Sequence, residues 1–159
     1  MNDDTRREIA AGGGSRVFAP RARDHRVDAV LQRGAKRHER ARYTGANIDA
    51  RLSAKEHEFF VARDGNSLVG FCEGSYEAGV VWVEWIGVTR AYRRRRVATD
   101  LLRALLKRAR RRGGHKAWCD SRVNNAESVP MLRKLGFKPL CAVKNHWYGH
   151  DFYLWEKKL

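Results

Sequence analysis

Cysteine is sparse, carboxylates are in short supply, and no long apolar run exists. The three cysteines, Cys72, Cys119 and Cys141, stand far apart and are odd in number. A disulfide scaffold does not fit them, and a reducing cytoplasm is the expected compartment. His38, His57, His115, His146 and His150 are dispersed, without the spacing of a metal-ligand set, so no metal site is expected. No apolar run approaches the ~20 residues of a membrane-spanning helix, and no membrane partner is expected. The opening "MNDDTRREIAAGGGSR" has no continuous apolar stretch and does not read as a secretory signal. Asp and Glu together number 18 against 33 Lys and Arg, leaving a net charge of +15. A charge of that size favours anionic partners and says nothing about fold.

What is present bounds the architecture. A chain of 159 residues, 43% hydrophobic and 32% charged, suits one soluble globular domain with a charged surface. Residues 1–14 read as a disordered polar, Gly-rich tail, and 15–159 as the domain. "SRVFAP" predicts a short first strand. Two helical pieces follow, one with Val27, Val30 and Leu31 at helical spacing and one over 36–43; residues 44–57 read as loop. From 58 to 89 the period shortens to that of strands, with turns at Asp64-Gly65-Asn66 and Glu77-Ala78-Gly79, which predicts an antiparallel meander.

The strongest helical signal comes next. Val97, Ala98, Leu101, Leu102, Leu105, Leu106 and Ala109 make one apolar stripe, and Gly113 supplies its stop. "KAWCDS" predicts a buried strand, "NNAESVPMLRKLGF" a capped helix ending at Gly136, and the remainder a hairpin turning near Tyr148 to His150. A helix joining two strands of one sheet makes them a parallel pair. The expected fold is therefore α+β: a mostly antiparallel sheet of about seven strands with a central parallel, splayed pair and helices on both faces. The tryptophans Trp82, Trp85, Trp118, Trp147 and Trp155 read mostly as core residues of strands, with Trp147 at the hairpin.

Between the meander and the striped helix stand four consecutive arginines, Arg93 to Arg96. Alone they fit a nucleic-acid arm, a solvated face or a pocket for an anionic cofactor. Their neighbours narrow the choice. "IGVTRAYRRRRVATDLL", followed by "NNAESVPMLRKLGF", resembles the GNAT superfamily of acyl-CoA N-acetyltransferases. Val88, Tyr92, Arg93, Ala98, Leu101, Leu102, Asn125 and Leu135-Gly136-Phe137 fall into that family's register. The closing "WYGHDFYLWEKKL" resembles its last hairpin. The likeness covers roughly residues 58 to 159. It implies acetyl-CoA as co-substrate, with its pyrophosphate on the segment Arg93, Arg94, Arg95, Arg96, Val97, Ala98 and Thr99. Free N–H groups at a helix start suit phosphate independently. Asn125 and Ser128 are further CoA contacts on this likeness; Asn125 also reads simply as a helix cap. The family carries glycine where this chain has Arg94 and Arg96, a departure that puts close backbone approach to phosphate in question.

The resemblance implies transfer of an acetyl group to a primary amine. Glu84, four residues before Val88, stands where many members carry the general base; an alternative is a strand glutamate paired with arginine. Backbone groups at Ile86, Gly87 and Val88 are expected to meet the pantetheine chain and the thioester. The family's usual proton donor, a tyrosine, falls on Leu132, which cannot donate. Either water protonates the thiolate or another group does, with Tyr148, Tyr153, Ser128 and Cys119 as candidates and Tyr148 named beside Glu84 as catalytic. The acceptor is a protein N-terminus, a lysine or a small amine. The charge of +15 leans toward an acidic or ribosome-associated partner. The loose acidic group Glu73, Glu77 and Glu84 keeps small amines open. Two other readings remain: a module that holds CoA without turnover, and a basic nucleic-acid-associated protein.

Overall fold

The tightest constraint on the fold is a turn of two residues. Ala78 (φ 49°) and Gly79 (φ 79°) both take positive φ, the geometry that matches the twist of two joined strands. They connect β4 (Ser67–Glu77) to β5 (Val80–Val88). Gly65, also at positive φ, opens the turn between β3 (His57–Asp64) and β4. The expected meander is thus present. The computed structural model describes residues 9–10, 16–18, 50–51 and 53–159. The helices expected within 24–43 lie outside the described residues.

Ahead of the meander, β1 (Ile9–Ala10) pairs antiparallel with β2 (Arg16–Phe18), and β2 with β3 in the register Val17↔Ala62. After it, α1 (Val97–Arg111) leads into β6 (Lys116–Arg122), which runs parallel to β5 from Val80↔Lys116 to Val83↔Cys119. A short helix, α2 (Ser128–Lys134), precedes β7 (Lys138–Val143). The last strand, β8 (Phe152–Lys158), enters between β6 and β7 and is antiparallel to both. The sheet order is β1-β2-β3-β4-β5-β6-β8-β7. This is a single α+β domain with a mixed sheet. Among the described residues it has eight strands where about seven were expected, β1 being only two residues long. That strand falls in the stretch 1–14 read as a tail; the rest of the stretch is outside the described residues.

Contacts gather into two compact units. The first includes β3, the start of β4, the end of β5 and the first half of α1; the second includes the β4–β5 turn, the end of α1 and everything after it. In the first unit Phe59, Phe60, Val61 and Ala62 are all buried, so β3 is covered on both faces. Val97, Leu101, Leu102 and Leu105 of the expected stripe are buried as well, as is Ala104. In the second unit Leu106 and Ala109 continue the stripe; of all its members only Ala98, in the first unit, is half-buried. Gly113 (φ 79°) closes the helix as expected.

The tryptophans divide. Trp155 is fully buried and donates its indole N–H to Ser121 Oγ at 2.9 Å, which satisfies both buried polar groups. Trp82 and Trp118 are half-buried and meet edge to face at 6.2 Å. Trp85 is also half-buried, and Trp147 is 48% exposed. The core expectation therefore holds fully for Trp155 alone. Strand β7 is exposed at every residue but the last, and it ends the sheet. Lys138, Pro139 and a register shift between Pro139 and Cys141 make it a poor template for another strand.

Two glycines decide where α1 begins. A Cβ on Gly70 would stand 3.0 Å from Gly87 O, 3.1 Å from Val97 Cγ1 and 3.2 Å from Leu101 Cδ1. A Cβ on Gly87 would stand 2.3 Å from Phe71 Cε1, and Phe71 is buried. Gly87→Ala is therefore expected to cost about 1–3 kcal/mol, the usual range for overpacking a core. Urea unfolding of the variant measures it; an unchanged midpoint would show that the Phe71 ring has room to move.

Candidate functional site

The segment after β5 is built as a hinge into a helix. Thr89 N–H bonds Val69 O at 2.9 Å, ending the strand, and Tyr92 N–H bonds Thr89 O at 2.9 Å, closing a 3-10 turn over Arg90–Tyr92. The Tyr92 hydroxyl donates to Asp64 Oδ2 at 2.8 Å, tying this turn to the β3–β4 hairpin. That bond holds the phenol in its protonated form and raises its pKa. Arg93 Nε bonds Val88 O at 3.3 Å, and the Arg95 guanidinium lies 5.2 Å from the centre of the Tyr92 ring.

Arg93 to Arg96 are all exposed. Arg93 has φ −66°, whereas Arg94 and Arg96 have φ 61° and 66°. These two are the positions where the family resemblance expects glycine. The backbone keeps the conformation that glycine would take, and arginine occupies it at about 1–2 kcal/mol each. Positive φ at two positions so close together turns the chain sharply from the extended Arg93 (ψ 155°) into the helix. The first helical bond is Asp100 N–H to Arg96 O at 3.0 Å. The N–H groups of Val97, Ala98 and Thr99 precede it and have no carbonyl to meet within α1. The helix dipole adds partial positive charge at the same end.

On β5, Glu84 is half-buried and its Oε1 accepts a hydrogen bond from Ser75 Oγ at 2.7 Å. Sequence reasoning singled out Glu84 but missed Ser75; the pairing is made across the hairpin, which a linear reading does not display. The rungs joining β5 to β6 end at Val83↔Cys119, while β5 itself runs on through Ile86, Gly87 and Val88.

The start of α2 has the cap that the sequence offered as one reading of Asn125. Its Oδ1 accepts the N–H of Ser128 at 2.8 Å and of Glu127 at 3.1 Å, so this oxygen is already committed. Leu132 is buried, fully part of the core. Gly136 (φ 82°) closes the helix, with Phe137 N–H reaching back to Leu132 O at 3.0 Å.

The β7–β8 connection carries the exposed aromatics. Trp147 donates its indole N–H to Asp120 Oδ2 at 2.7 Å, and the His146 ring lies 4.5 Å from it and 5.8 Å from Phe152. Tyr148, 56% exposed, takes φ 54° and ψ 34°, a left-handed conformation that is uncommon for a bulky residue. Asp151 anchors the turn by bonding Lys144 Nζ at 2.7 Å and Asn145 N at 3.0 Å. Those bonds to the carboxylate lower its pKa. Among the other proton-donor candidates, Cys119 is buried, and burial pushes its thiol pKa well up. A thiol that holds its proton that tightly is a poor donor. Tyr153 is half-buried with its ring 5.6 Å from Trp155.

The acidic residues of the meander do not share one role. Glu73 is fully buried, with its Oε1 2.6 Å from Arg51 Nη2 and 3.2 Å from His57 Nδ1. Glu77 is exposed at the end of β4. No group of three or more metal-ligating side chains occurs among the described residues. Nor, among them, is any helix long and apolar enough to cross a membrane.

Comparison with known proteins agrees with this geometry. A family model described as the acetyltransferase (GNAT) family matches residues 24–137. An N-alpha-acetyltransferase from Saccharolobus solfataricus is 30% identical over 115 residues, spanning 64% of this chain and 69% of its own. The fold is similar to a ribosomal-protein-alanine N-acetyltransferase from Escherichia coli, with a TM-score of 0.77, 15% identity and coverage of 91% and 93% of the two chains. It is equally similar to the PaiA N-acetyltransferase from Thermoplasma acidophilum, a structure in complex with coenzyme A, with a TM-score of 0.77, 15% identity and coverage of 91% and 99%.

Strain at the turn yields a test. Arg96→Gly removes about 1–2 kcal/mol of left-handed strain and adds about 0.5–1 kcal/mol of unfolded-state freedom. The variant should be as stable as the parent or slightly more so in urea. Arg96→Val should be the less stable of the pair by more than 1 kcal/mol, roughly, because a β-branched residue tolerates positive φ poorly. The reverse order would show that the guanidinium itself holds the turn.

Proposed function

The chain belongs to the GNAT family of acetyltransferases, and from that premise we propose that it moves an acetyl group from acetyl-CoA to a primary amine. The observation that supports this most is the turn from Arg93 to Thr99. It combines positive φ at Arg94 and Arg96, four exposed guanidinium groups and the bare N–H groups of a 15-residue helix. Pyrophosphate suits that combination of fixed dipoles and charge-assisted donors. On this reading Arg93, Arg94, Arg95, Arg96, Val97, Ala98 and Thr99 hold the phosphates. Ile86, Gly87 and Val88 offer backbone groups to the pantetheine, and Asn125 and Ser128 add contacts to CoA.

The chemistry asks little more of the protein. The amine nitrogen attacks the thioester carbonyl carbon, the C–N bond forms and the C–S bond breaks. Glu84 takes the proton that the amine loses, directly or through one water. The hydrogen bond from Ser75 keeps the carboxylate oriented for that task. The departing thiolate takes a proton from Tyr148, the exposed candidate at the hairpin.

For the acceptor, a protein N-terminal amine is the reading best supported. The 30% identical relative is an N-alpha-acetyltransferase, and a similar fold acts on a ribosomal-protein alanine. A polycationic small amine would want exposed carboxylates, and Glu73 is buried against Arg51 and His57. An acidic or ribosome-associated protein acceptor in the cytoplasm suits the charge of +15. Leu132, buried where a tyrosine donor usually stands, favours one alternative: a module that holds CoA and turns over slowly or not at all.

Calorimetry with acetyl-CoA, followed by a thiol-release assay on peptides with free N-termini, separates these readings. Binding with release is expected; absence of heat up to millimolar ligand would end both. Binding without release for any amine leaves the module. Glu84→Gln should slow turnover at least about 100-fold, the lower range for losing a general base. Its affinity for acetyl-CoA should barely move. Full activity of that variant across pH 6–9, roughly the range in which amines become free base, would remove Glu84 from the role.

A further inference from the structure

We propose that the solvent face of α1 is a docking stripe for the phosphodiester backbone of nucleic acid. The helix has fifteen residues, and the exposed ones are Arg103, Lys107, Arg110 and Arg111. Every one is a cation. Their spacing of three and four residues puts them on one face over about 12 Å of helix. Like charges at this spacing repel each other, so the stripe works against the helix that carries it.

Local structure does not account for the pattern. The helix holds one acid, Asp100, which Arg103 approaches at 3.5 Å. No ion pair engages Lys107, Arg110 or Arg111 among the described residues. The helix dipole explains cations in the last turn, hence Arg110 and Arg111, but Arg103 and Lys107 stand in the middle. The helix start at Arg93–Thr99 lies outside the stripe, so this inference does not depend on the acetyl-CoA reading.

The chemistry of the face selects the partner. A protein interface needs an apolar or aromatic centre that loses its water, and α1 exposes none. A phosphate backbone needs only charge: about 12 Å of duplex carries about seven phosphates, and each cation that neutralises one releases counterions. The stripe reads no bases, so binding is independent of sequence.

Fluorescence anisotropy with labelled duplex DNA, duplex RNA and single-stranded RNA, across a salt series, tests the proposal. The full chain should bind with a dissociation constant of about 10⁻⁶–10⁻⁴ M near physiological salt. Lys107→Gln/Arg110→Gln/Arg111→Gln should weaken binding and lower the slope of log affinity on log salt by about 2–3 units. Acetyl-CoA affinity should stay the same. Lys134→Gln/Lys138→Gln/Lys158→Gln removes equal charge from exposed positions elsewhere and should retain most of the binding. The single variants of the stripe, each about 0.9 units of slope on duplex, carry the test if the triple variant does not fold. The proposal is overturned by no binding, by equal loss in the charge-matched control, or by a polyglutamate peptide of the same charge binding as tightly.

Discussion

The start of α1 sits where it does because two strand positions have no side chain. Val97 and Leu101 occupy the space that a Cβ on Gly70 would take, and Phe71 occupies the space that one on Gly87 would take. That close fit sets the height of the helix over β4 and leaves the chain only Thr89 to Arg96 in which to turn. Within so short a connection the backbone reverses by adopting positive φ at Arg94 and Arg96. The arginines add charge at this turn, and two of them also make contacts within it, Arg93 Nε with Val88 O and the Arg95 guanidinium over the Tyr92 ring.

Much of this was legible in the sequence. The meander declared itself by its turns, because Gly65 and Gly79 stand where the backbone needs positive φ. The stripe from Val97 to Ala109 declared α1, and Gly113 and Gly136 marked both helix ends. The parallel β5·β6 pair followed from a helix between two strands. Burial was less legible. Trp82, Trp85 and Trp118 read as core yet are half-buried, since a strand pattern says which residues share a face and not how fully that face is covered.

The candidate site was legible as a segment and not as a set of contacts. The resemblance pointed to Arg93–Thr99 and Glu84 by position. It gave no sign of Ser75, which meets Glu84 across a hairpin, or of Asp120, which holds Trp147 from 27 residues away. Such partners depend on register and on which strand lies next to which. The acidic trio shows the converse. Glu73, Glu77 and Glu84 looked alike as letters on one meander, but one is sealed by Arg51 and His57, one is exposed, and one accepts from a serine.

The bond from Tyr92 to Asp64 has a consequence for timing as well as for shape. It anchors the middle of the Thr89–Arg96 connection to a neighbouring hairpin. A connection pinned at its centre has surrendered its conformational freedom during folding, before any ligand arrives. On the proposed reading, a phosphate meeting it has little backbone left to order, so the entropy of arranging the donors is not charged against its affinity.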